Sequence, residues 1–119
     1  MLNKAMIMGH MGKNAQPLKD KNGNQFAVAF TVATEEFYKE KETGERKKHT
    51  EWHNIICYNK NLFEMLEKYA LKGRLVYVEG KLRTSQYTKD AEESKRYSTE
   101  ILADEIRFPA RDDKKETAE

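Results

Sequence analysis

The segment from Thr50 to Lys60 combines two large aromatic side chains with a cation at its end. Side chains alternate between the faces of a β-strand, so a strand here would place Trp52 and Tyr58 on one surface. Asn54 and Ile56 would lie between them on that surface. Aromatic faces beside a cation can stack on nucleic-acid bases and neutralise phosphate. The alternative is that each ring packs in the core, because strand aromatics are more often buried than exposed.

The charge distribution along the chain is uneven, although the formal net charge is only +2. Residues 1–34 carry four Lys against one Asp, and residues 52–90 carry seven basic against four acidic side chains. Residues 35–51 and 91–119 are net acidic. Positive charge concentrated in two segments can attract phosphate locally without a high overall charge.

Several functional classes lack support in the sequence. Cys57 is the only cysteine, which precludes an internal disulfide and favours a reducing compartment. Its spacing from the three histidines does not suit a zinc site, so we expect no metal and no cofactor. No nucleotide-binding or nucleophile motif indicates an enzyme, and no apolar run suits a membrane span or secretory signal. We therefore expect a soluble, cytoplasmic binding protein.

Five segments have the residue alternation of β-strands. They are predicted at residues 3–11, 25–34, 48–58, 74–82 and 97–108. Two charged stretches predict hairpin arms, at residues 35–48 and 83–95. Gly9 and Gly80 interrupt strand patterns and indicate bends. In the second strand, alternation places Phe26 with Val28 and Phe30 on one face.

One helix is predicted at residues 59–72, where Leu62 and Leu66 begin an apolar stripe. The element order is therefore three strands, one helix and two strands. This order predicts an all-β OB-fold, a five-stranded Greek-key barrel with one helix between strands 3 and 4. The bends suit a small closed barrel. We expect this domain to span residues 1–108 and a short, charged, disordered tail to span residues 109–119.

These motifs resemble those of the bacterial-type single-stranded DNA-binding protein family. The matching segments are LNK at residues 2–4 leading to Gly9, FTVAT at 30–34, TEWH at 50–53, KG at 72–73, VYVEGKLRT at 76–84 and YSTE at 97–100. Together they extend from residue 2 to Phe108 in family order. The resemblance implies a non-catalytic homotetramer that coats and protects single-stranded DNA, without sequence preference, during replication, recombination and repair.

The resemblance also implies roles for individual residues. The stacking aromatics of the family fall on Tyr38, Trp52, Tyr58 and Tyr87. The best-known members have Trp or Phe where this chain has three Tyr, which preserves stacking but weakens each contact. The subunit contacts of the family fall on Lys4, His53, Tyr77 and Glu79.

Phosphate contacts are expected from basic residues near the stacking rings, with solvated surface charge as the alternative for each one. They are Lys13, Lys47, Lys48, Lys60, Lys72, Arg74, Lys81 and Arg83.

The C-terminal end departs from the family pattern. Many members end in a Gly/Gln/Pro-rich linker and an acidic tip closing on Pro-Phe, whereas this sequence ends at Glu119 with neither. The sequence is then either truncated or a short, tail-less member of the kind that phages, plasmids or second gene copies encode. We expect no protein recruitment through this segment.

Two other functions remain open at this point. One is an OB-fold accessory protein of the primosome, which binds single strands as a dimer. The other is an OB-fold that binds RNA, because the sequence identifies no residues dedicated to the ribose 2′-hydroxyl.

Overall fold

A computed structural model describes the backbone of residues 1–88 and 95–109, and the side chains of residues 1–85 and 97–109. This part of the chain contains six strands and one short helical segment. The strands are β1 (Ala5–Met11), β2 (Gln16–Lys19), β3 (Gln25–Lys39), β4 (Arg46–Cys57), β5 (Leu75–Thr88) and β6 (Lys95–Arg107). A 3-10 turn (Lys60–Leu62) leads into α1 (Phe63–Tyr69).

Five of these strands form a closed barrel, which confirms the predicted OB-fold. The sheet order is β1-β5-β6-β4-β3, and β1 returns to pair with β3. The β4–β6 pairing is parallel, whereas every other pairing in the barrel is antiparallel. The helix lies between the third and fourth barrel strands, as predicted.

The short strand β2 is an addition to the predicted set. It pairs only with β3, outside the closed ring, through a hairpin whose turn is organised by Asp20. The Asp20 carboxylate accepts hydrogen bonds from the backbone N–H groups of Asn22 and Asn24, at 2.8 and 3.0 Å. This turn holds β2 against β3 even though β2 has few apolar side chains.

The predicted helix is shorter than its apolar pattern suggests. Asn59 begins the segment, and its side-chain oxygen accepts a hydrogen bond from the Asn61 N–H at 3.1 Å. The α-helix ends at Tyr69, and Leu66 and Ala70 are its fully buried contacts with the barrel. The helix closes one end of the core with a single apolar turn.

The core lies inside the barrel and follows the predicted alternation closely. Val28, Phe30 and Val32 of β3 point inward, as do Ile55 and Cys57 of β4. The other residues of this core cluster come from β1, from α1 and its C-cap, and from β5 and β6; they are Met11, Leu66, Ala70, Val76, Val78, Ile101, Ala103 and Ile106. Phe26 is the exception on β3, because its ring is exposed rather than buried.

Barrel closure requires glycine where strands approach most closely. A Cβ atom at Gly9 would overlap the carbonyl oxygen of Ala33, where β1 meets β3. A Cβ at Gly80 would overlap the carbonyl oxygen of Leu102, beside a register shift between β5 and β6. The two predicted bends are therefore positions of close backbone approach.

We predict that Gly9→Ala destabilises the protein by about 1–3 kcal/mol or more, because the new methyl group forces β1 away from β3. Urea unfolding followed by Trp52 fluorescence measures the effect. Gly23→Ala is the control, since Gly23 lies in an open turn with φ of +83° and nothing within 4 Å of an added Cβ. Its cost is backbone strain alone, about 1–2 kcal/mol. Equal or greater stability of Gly9→Ala relative to wild type would contradict the closure argument.

Candidate nucleic-acid interface

The outer face of β3 and β4 consists of Ala29, Thr31 and Ala33 on β3 and Trp52, Asn54 and Ile56 on β4. In the antiparallel register, Trp52 is opposite Ala33, Asn54 is opposite Thr31 and Ile56 is opposite Ala29. The β3 residues are small, so the Trp52 side chain stands above them and is 57% exposed. Core packing is therefore the wrong interpretation of Trp52, and the ring is available to a ligand.

The ring of Trp52 rests against the end of β1. A Cβ atom at Gly12 would lie 2.5 Å from ring atom Cζ3, so any larger residue there would displace the ring. Gly12, Lys13, Thr31 and Trp52 line an open cleft of about 260 Å³. The cleft combines an aromatic face with an adjacent ammonium group, which is the combination that base stacking and phosphate binding need.

Tyr58 presents a second ring, 44% exposed, just beyond the end of β4. Arg83 Nη2 donates hydrogen bonds to the Tyr58 hydroxyl at 3.1 Å and to Glu100 Oε1 at 3.3 Å. Both hydrogen bonds raise the pKa of Arg83, and the bond to Tyr58 has the larger effect. Arg83 therefore keeps its positive charge. Ser85 donates to the same Glu100 oxygen at 3.4 Å. Besides its predicted phosphate contact, Arg83 therefore orients the Tyr58 ring.

Phe26 lies against Tyr58 and extends the exposed aromatic surface. The two ring centroids are 6.5 Å apart with an interplanar angle of 25°, and Phe26 is 44% exposed. Sequence alternation misses this residue because it places Phe26 with the core residues of β3. No local signal marks the point at which the strand passes the end of the barrel.

A shallow groove of about 360 Å³ separates the Trp52 and Tyr58 regions. Its floor includes Ala29, Thr31 and Ile56, and the amide side chains of Asn14 and Asn54 lie on its lining. The groove shares Lys13 and Thr31 with the Trp52 cleft, and its residues Asn54 and Ile56 lie between Trp52 and Tyr58 in sequence.

The hairpin arm between β3 and β4 brings together several predicted residues. Tyr38 is exposed and pairs in register with Lys47, whose ammonium lies 2.6 Å from the Glu40 carboxylate. Lys48 lies 3.8 Å from Glu35. The arm cations are thus partly neutralised by carboxylates of the same hairpin.

Four predicted phosphate ligands are exposed and have no ion pair within the described residues, namely Lys13, Lys60, Lys72 and Lys81. The Lys72 backbone N–H donates to Asn14 Oδ1 at 2.8 Å, which brings the segment carrying Lys72 next to the segment carrying Lys13. Arg74 differs from these, because it is half-buried with its guanidinium 5.4 Å from the Phe108 ring centroid.

One predicted stacking residue cannot be placed in this way. Tyr87 belongs to β5, where its backbone is opposite Arg96, but its side chain lies outside the described residues. The predicted tail also remains a prediction, because residues 110–119 are outside the described part of the chain.

The residues predicted at subunit contacts occupy two sites. His53 is half-buried on the face opposite Trp52, as predicted, and its Nε2 shares a hydrogen bond of 2.8 Å with Thr34 Oγ1. Lys4 and Glu79 form an ion pair within the chain, next to half-buried Tyr77. The hydrogen bond from Lys4, together with its positive charge, holds the pKa of Glu79 below its usual range. The subunit roles themselves stay predictions.

Within residues 1–88 and 95–109, no three His, Cys, Asp or Glu side chains are grouped as metal ligands would be. No helix in this part of the chain is long and apolar enough to cross a membrane.

The fold and this site together define an OB-fold whose exposed face combines aromatic rings with cations. A sequence model of the Single-strand binding protein family matches residues 2–109. A solved structure, the Plasmodium falciparum SSB in complex with ssDNA, superposes with a TM-score of 0.80 at 32% sequence identity. The match covers 92% of this chain and 97% of that chain.

The chain therefore belongs to the single-strand binding protein family, which confirms the resemblance seen in its motifs. Its function is to bind single-stranded DNA.

We predict that Lys60→Ala flattens the salt dependence of DNA affinity by about 0.7 in the slope of log K against log salt, as expected for one lost phosphate contact on a single strand. Lys47→Ala is the matched comparison and should change the slope less, because Glu40 already neutralises Lys47. Titrations with oligo-dT at several salt concentrations provide both slopes. An unchanged slope in Lys60→Ala would assign this side chain to the solvated surface.

Proposed function

We propose that this protein binds single-stranded DNA along the outer face of β3 and β4, with bases stacked on Trp52 and Tyr58. The observation that supports this most directly is the exposure of both rings, with a groove over the part of the β3–β4 face that lies between them. Tyr38 on the hairpin arm and Tyr87 on β5 complete the set of stacking residues. The backbone phosphates meet Lys13, Lys60 and Lys72, together with the other predicted cations.

This arrangement favours binding without sequence preference. Every base has a π-face, so stacking on an aromatic side chain tolerates any sequence. Electrostatic contact with phosphate is equally independent of sequence. Rings and cations hold a strand but supply no nucleophile or general base, so we infer that the protein acts by binding alone and is not an enzyme.

The comparison with the Plasmodium falciparum SSB, whose structure is a complex with ssDNA, supports DNA as the ligand. RNA is the competing ligand, because base stacking and phosphate contact do not distinguish the sugars. Oligo-dT, oligo-U and duplex DNA therefore belong in the same titration.

We further propose that the protein is a homotetramer that coats and protects single strands during replication, recombination and repair in the bacterial cytoplasm. Closed symmetry is the common solution for such assemblies of identical chains. Binding by residues 1–108 alone suffices in this scheme, without protein recruitment through residues 110–119. A primosome-type accessory protein would instead be a dimer, and the retained TEWH motif and arm aromatics favour the tetramer.

We predict that saturation with oligo-dT quenches Trp52 emission, because the lone tryptophan lies where a base should stack. Trp52→Ala should weaken binding by about 1–3 kcal/mol, whereas Trp52→Phe retains a ring and should lose less. Fluorescence titration measures quenching, and a labelled oligonucleotide measures the variants. Unchanged emission at saturating DNA would show that the outer face is not the binding surface.

We predict that His53→Lys shifts the protein toward dimers or monomers on dilution, because a charge would be buried where subunits meet. Sedimentation velocity at low protein concentration measures the change. His49→Lys is the matched control, since His49 is exposed on the hairpin arm. The assignment would be wrong if His53→Lys and wild type sedimented alike.

A further inference from the structure

The register of the hairpin arm places Phe37, rather than Tyr38, on the same face as Trp52. The β3–β4 pairing continues from Val28–Cys57 to Lys39–Arg46 without a register shift. Trp52 is opposite Ala33, and Phe37 is opposite Lys48. Phe37 is four residues from Ala33 on β3, and Lys48 is four residues from Trp52 on β4. Because strand side chains alternate, an even separation keeps Phe37 on the face of Trp52.

The surroundings of Phe37 have the features of a stacking site. Its ring is 55% exposed, and the Arg46 guanidinium carbon lies 4.4 Å from the ring centroid. Lys39 and Lys48 belong to the same face by register. Glu35 is the acidic residue on this face and lies 3.8 Å from Lys48, which leaves the face net positive. Phe37, Lys39 and Arg46 line an open cleft of about 380 Å³, to which Tyr38 and Gly44 also contribute.

We propose that Phe37, with Arg46 beside it, is a further stacking site for the bound strand. The inference rests on the proposed function and lengthens the path of the bound DNA over the protein surface. The DNA would run from Tyr58 past Trp52 and onto the Phe37 side of the hairpin arm. At roughly 3.3 Å per strand residue, Phe37 and its partner Lys48 lie about 13 Å beyond Trp52.

The chemistry of this site suits a nucleotide with its phosphate. A base can stack on the free side of the Phe37 ring, as on any exposed aromatic. Arg46 already lies over this ring, so its guanidinium can contact a phosphate or stack on the next base. Tyr38 and Lys47 belong to the opposite side of the arm, so the arm offers one aromatic residue to each side.

The competing explanation is that Phe37 and Arg46 only stabilise the hairpin arm. Phe37→Leu removes the π-face while retaining apolar bulk, and Phe37→Tyr retains both. Tyr69→Leu is the matched control, because Tyr69 is an exposed ring with Lys68 5.5 Å from its centroid, on α1 rather than on β3 or β4.

The experiment measures affinity for labelled oligo-dT of increasing length, together with Trp52 quenching in every variant. We expect Phe37→Leu to weaken binding of long oligonucleotides by roughly fivefold or more, the equivalent of about 1 kcal/mol. Phe37→Tyr and Tyr69→Leu should remain within about twofold of wild type. Oligonucleotides too short to reach from Trp52 to Phe37 should bind Phe37→Leu as tightly as wild type.

The outcomes separate this inference from the function on which it depends. Quenched Trp52 emission with undiminished affinity of Phe37→Leu for long oligonucleotides would overturn the Phe37 site and leave the proposed surface intact. A loss shared equally by short and long oligonucleotides, or by Phe37→Tyr, would also overturn it, since that result indicates a structural role. Absence of Trp52 quenching in the wild type would refute the proposed surface itself.

Discussion

Closure of the barrel between β1 and β3 is the constraint on which the binding surface depends. The two strands pair at only two positions, His10–Ala33 and Met11–Val32. They can meet there because Gly9 has no side chain to overlap the Ala33 carbonyl. The same approach brings Gly12 against the ring of Trp52. The contact that seals the core therefore also sets the height of Trp52 above the sheet.

The two faces of β3 explain why stability and binding do not compete. Val28, Phe30 and Val32 fill the barrel interior, where burial contributes about 25 cal/mol per Å² of apolar surface. The outer residues, Ala29, Thr31 and Ala33, are too small to surround the rings of the neighbouring strand. Larger outer side chains would pack around Trp52 and remove the free face that a base needs. Small residues on β3 are thus part of the site although they contribute little contact area themselves.

Local signals account for the part of the structure that the sequence predicts. Alternation and bend glycines identify the five barrel strands, and alternation places Trp52 and His53 on opposite faces of the same strand. These signals do not predict β2, because Leu18 is the only large apolar residue in Gln16–Lys19. Its pairing with β3 depends on the hairpin turn instead. Ion pairs such as Arg83–Glu100 are not predicted either, because they depend on cross-strand register, which charge patterns do not specify. Sequence therefore predicts which rings are exposed better than which cations are free.

Some basic side chains form ion pairs within the chain and others do not. This difference explains how a chain of net charge +2 can bind a polyanion. Lys13, beside Trp52, and Lys72 have no ion pairs within the described residues, whereas Lys47 and Arg83 are already paired with carboxylates. A phosphate that displaces Glu40 from Lys47 replaces one exposed ion pair with another, and such pairs are worth about 0–1 kcal/mol. Salt therefore weakens mainly the contacts of the unpaired lysines. Stacking does not depend on ionic attraction, so at high salt the aromatic rings should supply most of the remaining affinity.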